Sequence, residues 1–371
     1  MILTSFRCRN FRNLAQLDWY PPQGMVLLVG PNGAGKTNLL EAITVLGNLT
    51  SFRSGKPQSW VRHGEAGYLL RGELVGSSGP VVLEQQGRLG KGLYRQLFRS
   101  GRRVSPAEYL TLAPVAACSA ADQELVLGTP EHRRRLLDRL TFHLAPTTLD
   151  LLLRFRRALR QRNALLAAHH PAPETFAAFE RELAQTGAAI VAHRLTACTL
   201  LQQALEQELT SLGWLLPKPV LRYHAPEGLE AAAAASELLA QFRRSRPQEL
   251  TRGHTLLGPH RHDLCITLQG RPAREQLSAG QVKLLATALR LAALRVATER
   301  RGLVPLLVFD DVDAELDGAT LRRLLGRLAT AANQTMLSTA HPEVVVPLAA
   351  NATVITVRDG KLFSPAEGSY R

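Results

Sequence analysis

The stretch GPNGAGKT, Gly30 to Thr37, constrains this chain more than any other. It follows the apolar run Met25 to Val29 and precedes Asn38, Leu39, Leu40, Glu41, Ala42 and Ile43, so the local order reads strand, glycine loop, helix. Gly30, Gly33 and Gly35 reach backbone angles closed to other residues, which lets successive amides converge on a phosphate. The helix entered near Lys36 adds the positive end of its dipole. Gly30, Pro31, Asn32, Gly33, Ala34, Gly35, Lys36 and Thr37 are therefore expected to hold the phosphates of a nucleoside triphosphate. In that arrangement Lys36 reaches the β- and γ-phosphates and the Thr37 hydroxyl binds Mg²⁺.

Such a loop needs a magnesium carboxylate at the end of a neighbouring strand. Leu306, Leu307, Val308 and Phe309 read as that strand, and Asp310 follows them. Asp310 is the candidate that holds Mg²⁺ through its water shell, and Asp311 beside it is the candidate that orients or deprotonates the attacking water.

Composition narrows the partners. The 371 residues carry 45 basic against 31 acidic side chains, a net charge of +14, and the excess is almost all arginine. A protein this basic attracts polyanions through its field and through counterion release. No apolar run approaches the roughly 20 residues that span a bilayer. Met1 to Leu28 also lacks the pattern of a signal peptide, so the expected location is cytoplasmic with no membrane partner. Cys8, Cys118, Cys198 and Cys265 lie far apart, without the spacing of a zinc site or a disulfide framework.

Along the chain, Ile2 to Cys8, Leu14 to Trp19 and the run into Gly30 read as strands, with FRNL at Phe11 to Leu14 as a tip. Gly67 to Val104 alternates in short strands separated by glycine turns, an antiparallel pattern, and Leu112 to Cys118 reads as a further core strand. From Pro130 to about Arg244 the pattern is helical, with helices expected at 131–143, 147–168, 175–212 and 229–243. Breaks fall at Pro146, at His169 to Pro173 and at Pro217 to Pro226, and an alanine run occupies 231–235. Strands return from Leu256 to Leu268. The remainder alternates helix 278–300, strand 304–310, helix 318–330, strand 334–339, helix 342–349 and strand 353–357, the order of a mostly parallel sheet covered by helices. The expected division is an N-terminal part of an ATPase domain at 1–130, an inserted helical lobe at 131–250, and the C-terminal part of the ATPase domain at 251–371. The first half of the lobe is arginine-rich, and Arg133, Arg134, Arg157 and Arg160 are its candidates for contacts to the phosphates of a polyanion.

The order of motifs adds a resemblance. The glycine loop, LSAGQ at Leu277 to Gln281, Asp310 and Asp311, AELD at Ala314 to Asp317, and His341 after a strand together resemble the ATP-binding cassette ATPases. That resemblance implies a composite ATP site completed across a homodimer, in which Ser278, Gly280 and Gln281 act on the nucleotide of the other subunit. It also implies that Asp317 lies in the loop crossing the interface, that His341 is a switch histidine at the γ-phosphate, and that Gln123 is the Q-loop glutamine. On residues alone, Ser278 also reads as an ordinary helix N-cap and His341 as a loop histidine.

Within that superfamily the whole chain is similar to the RecF family, SMC-like heads without a long coiled coil. FRNL, GPNGAGKTNLLEAI at Gly30 to Ile43 and FRS at Phe52 to Ser54 carry the likeness in the first third. HRRRLLDR at His132 to Arg139, QRNALL at Gln161 to Leu166, GPHR at Gly258 to Arg261, LSAGQVKLL at Leu277 to Leu285 and DDVDAELD at Asp310 to Asp317 carry it onward. Ser119, Ala120 and Ala121 stand where the family usually has a proline-containing turn.

The resemblance implies an α/β fold, an ABC-type ATPase head with mixed sheets and an inserted helical domain. The implied function is in DNA replication, recombination and repair: an ATP-induced dimer that clamps single-stranded, duplex or gapped DNA. It would work with RecO and RecR in loading RecA, and slow ATP hydrolysis would act as a release switch. An SMC-like structural tether and a transporter ATPase subunit are the alternatives that share part of this motif set.

Overall fold

The computed structural model describes residues 1–363 apart from 54, 77–78, 113, 169–172, 225–233 and 303. Ser54 of the FRS stretch, most of the expected break at His169 to Pro173, the start of the helix expected at 229–243 and most of the alanine run lie outside the described residues. The chain begins with the hairpin β1 (Ile2–Phe11) and β2 (Leu14–Trp19), then β3 (Gly24–Val29) and α1 (Lys36–Asn48). Next come β4 (Gly67–Gly76), β5 (Gly79–Leu89), β6 (Leu93–Arg99), β7 (Arg102–Arg103), α2 (Pro106–Leu110) and β8 (Val115–Cys118). Helices α3 (Pro130–Leu144), α4 (Thr148–Ala167) and α5 (Pro173–Ser211) precede β9 (Val220–His224), α6 (Ala235–Arg252), β10 (Asp263–Leu268) and β11 (Arg271–Pro272). The last third alternates α7 (Ala279–Arg301), β12 (Leu306–Phe309), α8 (Gly318–Ala331), β13 (Gln334–Ser338), α9 (Pro342–Val345) and β14 (Ala352–Arg358), and ends in β15 (Lys361–Phe363).

These elements form two compact units, the first from Met1–Gln123, Glu208–Trp214 and Ser278–Arg371, the second from Glu124–Gln207 and Leu215–Leu277. The first unit holds two sheets. One is antiparallel, in the order β2-β1-β4-β5-β6-β7. The other runs β15-β14-β3-β13-β12-β8, with every neighbouring pair parallel except β14 with β15. Strands β3 and β12 are apolar almost without interruption, as strands covered on both faces tend to be, and β13 is buried along its length although Gln334, Thr335 and Ser338 are polar. Helix α1 is buried nearly all round, and Leu39, Leu40, Ile43 and Leu46 join the core that both sheets share. That burial pins the start of α1, and hence the glycine loop, against the carboxyl ends of the parallel strands, where open α/β sheets place their ligands.

The second unit contains α3, α4, α6, most of α5 and the small antiparallel sheet β11-β10-β9. Its sheet is where the structure departs from the sequence pattern. The segment Val220–His224 was expected to be loop, yet it alternates exposed and buried side chains and pairs antiparallel with Asp263–Leu268. The strand expected from Leu256 therefore starts later, at Asp263, and joins β9 rather than a sheet of the ATPase unit. Helix α6 also runs on through Pro247 to Arg252. Its last turns are anchored by the fully buried Glu249, which accepts from Leu256 N at 2.7 Å and from Arg162 at 2.6 Å, and Gly253 ends it in the left-handed conformation.

Candidate functional site

The glycine loop leaves β3 at Gly30, where φ is +146° and any Cβ would collide with the Val357 carbonyl oxygen of the adjacent strand. Only glycine fits there. Lys36 is 5% exposed, and its Nζ donates to the carbonyls of Gly30 at 2.6 Å and Pro31 at 3.1 Å. Thr37, one residue on, donates its hydroxyl to Asp310 Oδ1 at 3.0 Å, and Ser338 at the end of β13 donates to the same oxygen at 2.6 Å. Residues from α1, β12 and β13 thus meet at one carboxylate. Burial raises the Asp310 pKa, a tendency that the Asp311 charge reinforces and the bonds from Ser338 and Thr37 oppose. A divalent cation at this hydroxyl–carboxylate pair would relieve the same strain, since both are the hard oxygen donors that Mg²⁺ takes.

Asp311 is held tightly. Its backbone is left-handed at φ +50°, its N–H donates to Ser338 Oγ at 2.9 Å, and its carbonyl accepts from Lys283 Nζ at 2.8 Å. Together Asn32 to Asn38, Phe52, Arg53, Ser119 to Ala121, Asp310 and Asp311 line a cavity of about 450 Å³. A second cavity of about 570 Å³ shares Gly33 with it and is lined by Arg12, Asn13, Arg62, His63 and Asp359. Its walls are braced by Glu41, which is fully buried and takes both a bidentate bond from Arg12, at 3.0 and 2.7 Å, and a hydroxyl from Ser51 at 2.7 Å. Arg53 lies 3.5 Å from the same carboxylate and donates to Asn38 Oδ1 at 2.9 Å.

The remaining candidates lie outside the first cavity. Gln123 donates to Glu315 Oε2 at 2.7 Å, so Ser119, Ala120 and Ala121, not the glutamine, face the loop. His341 is exposed and shares a 2.8 Å hydrogen bond between Nδ1 and Asp313, which raises its pKa. Ser278 is the N-cap of α7, and Gln281 Oε1 accepts from Ser278 N at 2.9 Å. Gly280 packs so closely on the 310–317 loop that a Cβ would stand 2.8 Å from the Glu315 carbonyl oxygen. Asp317 caps α8, accepting from Ala319 N and Thr320 N. Ser278 and Asp317 are both exposed.

Sequence reasoning missed several residues that shape this region. Lys283 is buried on α7 and donates to the carbonyls of Asp311 and Ala314 at 2.8 and 2.5 Å. Burial lowers its pKa. Arg290, two turns further along α7, donates twice to Asp122 Oδ1 at 2.8 and 2.6 Å, and Asp122 Oδ2 in turn accepts from Ser119 N. Arg12 and Arg53 lay within the quoted FRNL and FRS stretches, whereas the only signal for Lys283 was its place inside LSAGQVKLL.

In the second unit one candidate needs correcting. Arg133 is 8% exposed and closes a bidentate pair with Asp263, both bonds 2.9 Å, with further bonds to the carbonyls of Leu125 and Gly128. A guanidinium with its donors engaged internally does not meet a phosphate. Arg134 is half-buried and donates to the His262 carbonyl at 2.8 Å. Arg157 and Arg160 are exposed.

Comparison with known proteins places this geometry. A family model described as an AAA domain, putative AbiEii toxin, Type IV TA system, matches residues 25–86, the stretch that holds the glycine loop. The DNA replication and repair protein RecF of Myxococcus xanthus (strain DK1622) is 34% identical over 378 residues, covering 99% of this chain and 98% of its own. The solved recombination mediator protein RecF-ATP of the RecFOR pathway superposes with a TM-score of 0.87 at 25% identity, over 98% of this chain and 97% of that one. The Smc head domain of Pyrococcus furiosus, with an extended coiled coil and bound to the C-terminal domain of ScpA, shares the fold at a TM-score of 0.56 and 15% identity, over 98% of this chain and 96% of that one.

Proposed function

Since the chain belongs to the RecF family of DNA replication and repair proteins, we propose that it is an ATP-operated DNA clamp of recombinational repair. The observation that carries this reading is the pairing of Thr37 with Asp310 at 3.0 Å beside the glycine loop, at the carboxyl ends of parallel strands. The loop amides and Lys36 bind the triphosphate of ATP, and Arg12 and Asn13 line the adjoining space where the nucleoside extends. Thr37 and Asp310 hold Mg²⁺, which when bound supplies charge neutralisation along the phosphates. Asp311 positions the attacking water, its backbone fixed by Ser338 and Lys283.

The exposure of Ser278 and Asp317, away from the chain's own loop, supports a site that a second copy completes. In that dimer Ser278, Gly280 and Gln281 face the partner's nucleotide, Asp317 crosses the interface, and His341 is the switch that touches the γ-phosphate. Asp311 is one methylene shorter than a glutamate and holds water less well, so turnover lies below about 10 per second, the median for enzymes. Net charge +14 and the exposed Arg157 and Arg160 support contact with DNA phosphates. RecO and RecR are the proposed protein partners, RecA loading at gaps the proposed outcome, and the bacterial cytoplasm the proposed location. Among the described residues no helix is long and apolar enough to cross a membrane. The similarity of RecF relatives over nearly the whole chain supports this reading over the tether and transporter alternatives.

Sedimentation velocity with a non-hydrolysable ATP analogue and Mg²⁺ tests the clamp. Wild type is expected to dimerise with nucleotide, Lys36→Met to lose nucleotide binding, and Ser278→Arg to bind nucleotide yet stay monomeric. A wild type that remains monomeric with nucleotide bound would refute the composite site.

A further inference from the structure

Residues 131, 134, 135 and 138 of α3 fall at i, i+3, i+4 and i+7, one face of the helix, and all four are charged. A helix face that packs into a core is apolar. This one instead walls a cavity of about 190 Å³ within the second unit, whose floor is Leu152, Phe155 and Leu159 of α4 and Ile190 of α5.

Those four charges cancel among themselves, but Arg156 and Arg194 also line the cavity and leave it with an excess of positive charge. Arg135 pairs with Glu131 at 2.5 Å, and Arg194, which also lines the cavity, pairs with Asp138 at 2.7 Å, so both carboxylates are neutralised. Arg134 is left half-buried with the His262 carbonyl as its hydrogen-bond acceptor, and Arg156 at the rim has no carboxylate within ion-pair distance among the described residues. A partly desolvated guanidinium that has the like charge of Arg194 nearby, and whose surrounding carboxylates Glu131, Asp138 and Asp263 are each paired with another arginine, is costly to hold, and an incoming anion would compensate it.

We propose that this cavity receives an acidic segment of a partner protein, with one apolar side chain seated on Leu152, Phe155, Leu159 and Ile190 and flanking carboxylates paired with Arg134 and Arg156. Size and lining favour a peptide over nucleic acid. The volume lies well under the roughly 300 Å³ at which small-molecule sites begin, which suits a single anchoring side chain. Single-strand nucleic-acid sites join a basic groove to exposed aromatic platforms on which bases stack, whereas this floor is mostly aliphatic and its one aromatic ring, Phe155, is buried, so an arginine-rimmed apolar pocket here fits a protein side chain better. The site lies wholly inside the second unit, so it stands or falls separately from the ATP clamp.

Fluorescence anisotropy on the full-length protein tests it, using a fluorescein-labelled peptide of one leucine flanked on each side by two aspartates. Control peptides carry serine for the leucine or lysine for the aspartates, and a labelled DNA oligonucleotide serves as the third probe. The leucine–aspartate peptide is expected to bind at least about tenfold more tightly than either control peptide. Arg156→Glu, an exposed change whose fold is checked by circular dichroism, and Leu159→Ser are each expected to abolish that preference. Neither change should weaken binding of the DNA probe by as much. Equal binding of leucine and serine peptides would overturn the proposal. So would displacement of the peptide by DNA together with an equal loss of both in Arg156→Glu, which would make the cavity part of a nucleic-acid face.

Discussion

Lys283 shows how much a single residue can decide in the ATPase unit. Its ammonium, buried one turn inside α7, donates to the Asp311 and Ala314 carbonyls and so joins α7 to the loop that carries the proposed water-orienting carboxylate. Removing it takes away one of the two side-chain anchors, Ser338 Oγ being the other, from a left-handed backbone that is costly to hold. Lys283→Met is therefore expected to lower single-turnover ATP hydrolysis by about 10- to 100-fold while ATP affinity, read with a fluorescent analogue, changes by less than about threefold. Equal losses in binding and turnover would reduce Lys283 to a folding role. Arg133 teaches the opposite lesson. Its neighbours Arg134 and Arg135 have the same chemistry, but only burial against Asp263 reveals that Arg133 is structural.

At the scale of elements, the second unit is held by charged side chains inside its core. Arg162 of α4 is fully buried, paired with Glu180 of α5 at 3.0 Å and Glu249 of α6 at 2.6 Å, and its guanidinium lies over the rings of Phe176 and Phe242. Replacing it would leave the buried Glu249 without its cationic partner and Glu180 with Arg246 alone. Arg162→Met is expected to destabilise the helical unit by about 3–5 kcal/mol, the usual cost of breaking a buried pair, read as a lowered urea midpoint and faster hydrogen exchange in α4 and α6. Unchanged protection in both helices would contradict it.

The segment entering β10 adds a pH dependence. Burial lowers the His260 pKa to about 4 and that of His262 to about 3. Below the ordinary value of 6.5 the unfolded chain therefore binds protons that the folded unit does not. Stability is full above pH 6.5 and is lost as pH falls from 6.5 toward 4 and then 3, at about 1.4 kcal/mol per pH unit for each histidine. His262→Gln is expected to flatten that slope in chemical denaturation; an unaltered slope would assign the acid sensitivity elsewhere.

For the whole molecule the measurable property is its charge of +14. If Arg157 and Arg160 each neutralise one phosphate, changing both to alanine reduces the slope of log affinity against log salt for duplex DNA by about 2. The Arg162→Met variant, which removes a charge no phosphate reaches, is expected to keep the wild-type slope. An unchanged slope in the double variant would remove that face of α4 from the DNA surface.

What the sequence by itself determined were the features written in local spacing. The strand–loop–helix around Gly30 to Thr37, the apolar run ending at Asp310, the helical middle and the alternation of the last third were all legible because each depends on neighbours a few residues apart. The motif order also carried the resemblance to the RecF family that the relatives establish. Tertiary structure decided the rest. Val220–His224 becomes a strand only because Asp263–Leu268, some forty residues on, supplies its hydrogen-bond partners, and this pairing draws β10 into the second unit. Lys283, Arg290 and Glu41 gain their roles from groups brought close by folding, and the cavity beside α3 exists only where a charged helix face and an apolar one meet. Spacing along a chain encodes periodicity, but which buried charge finds a partner depends on distances that no spacing records.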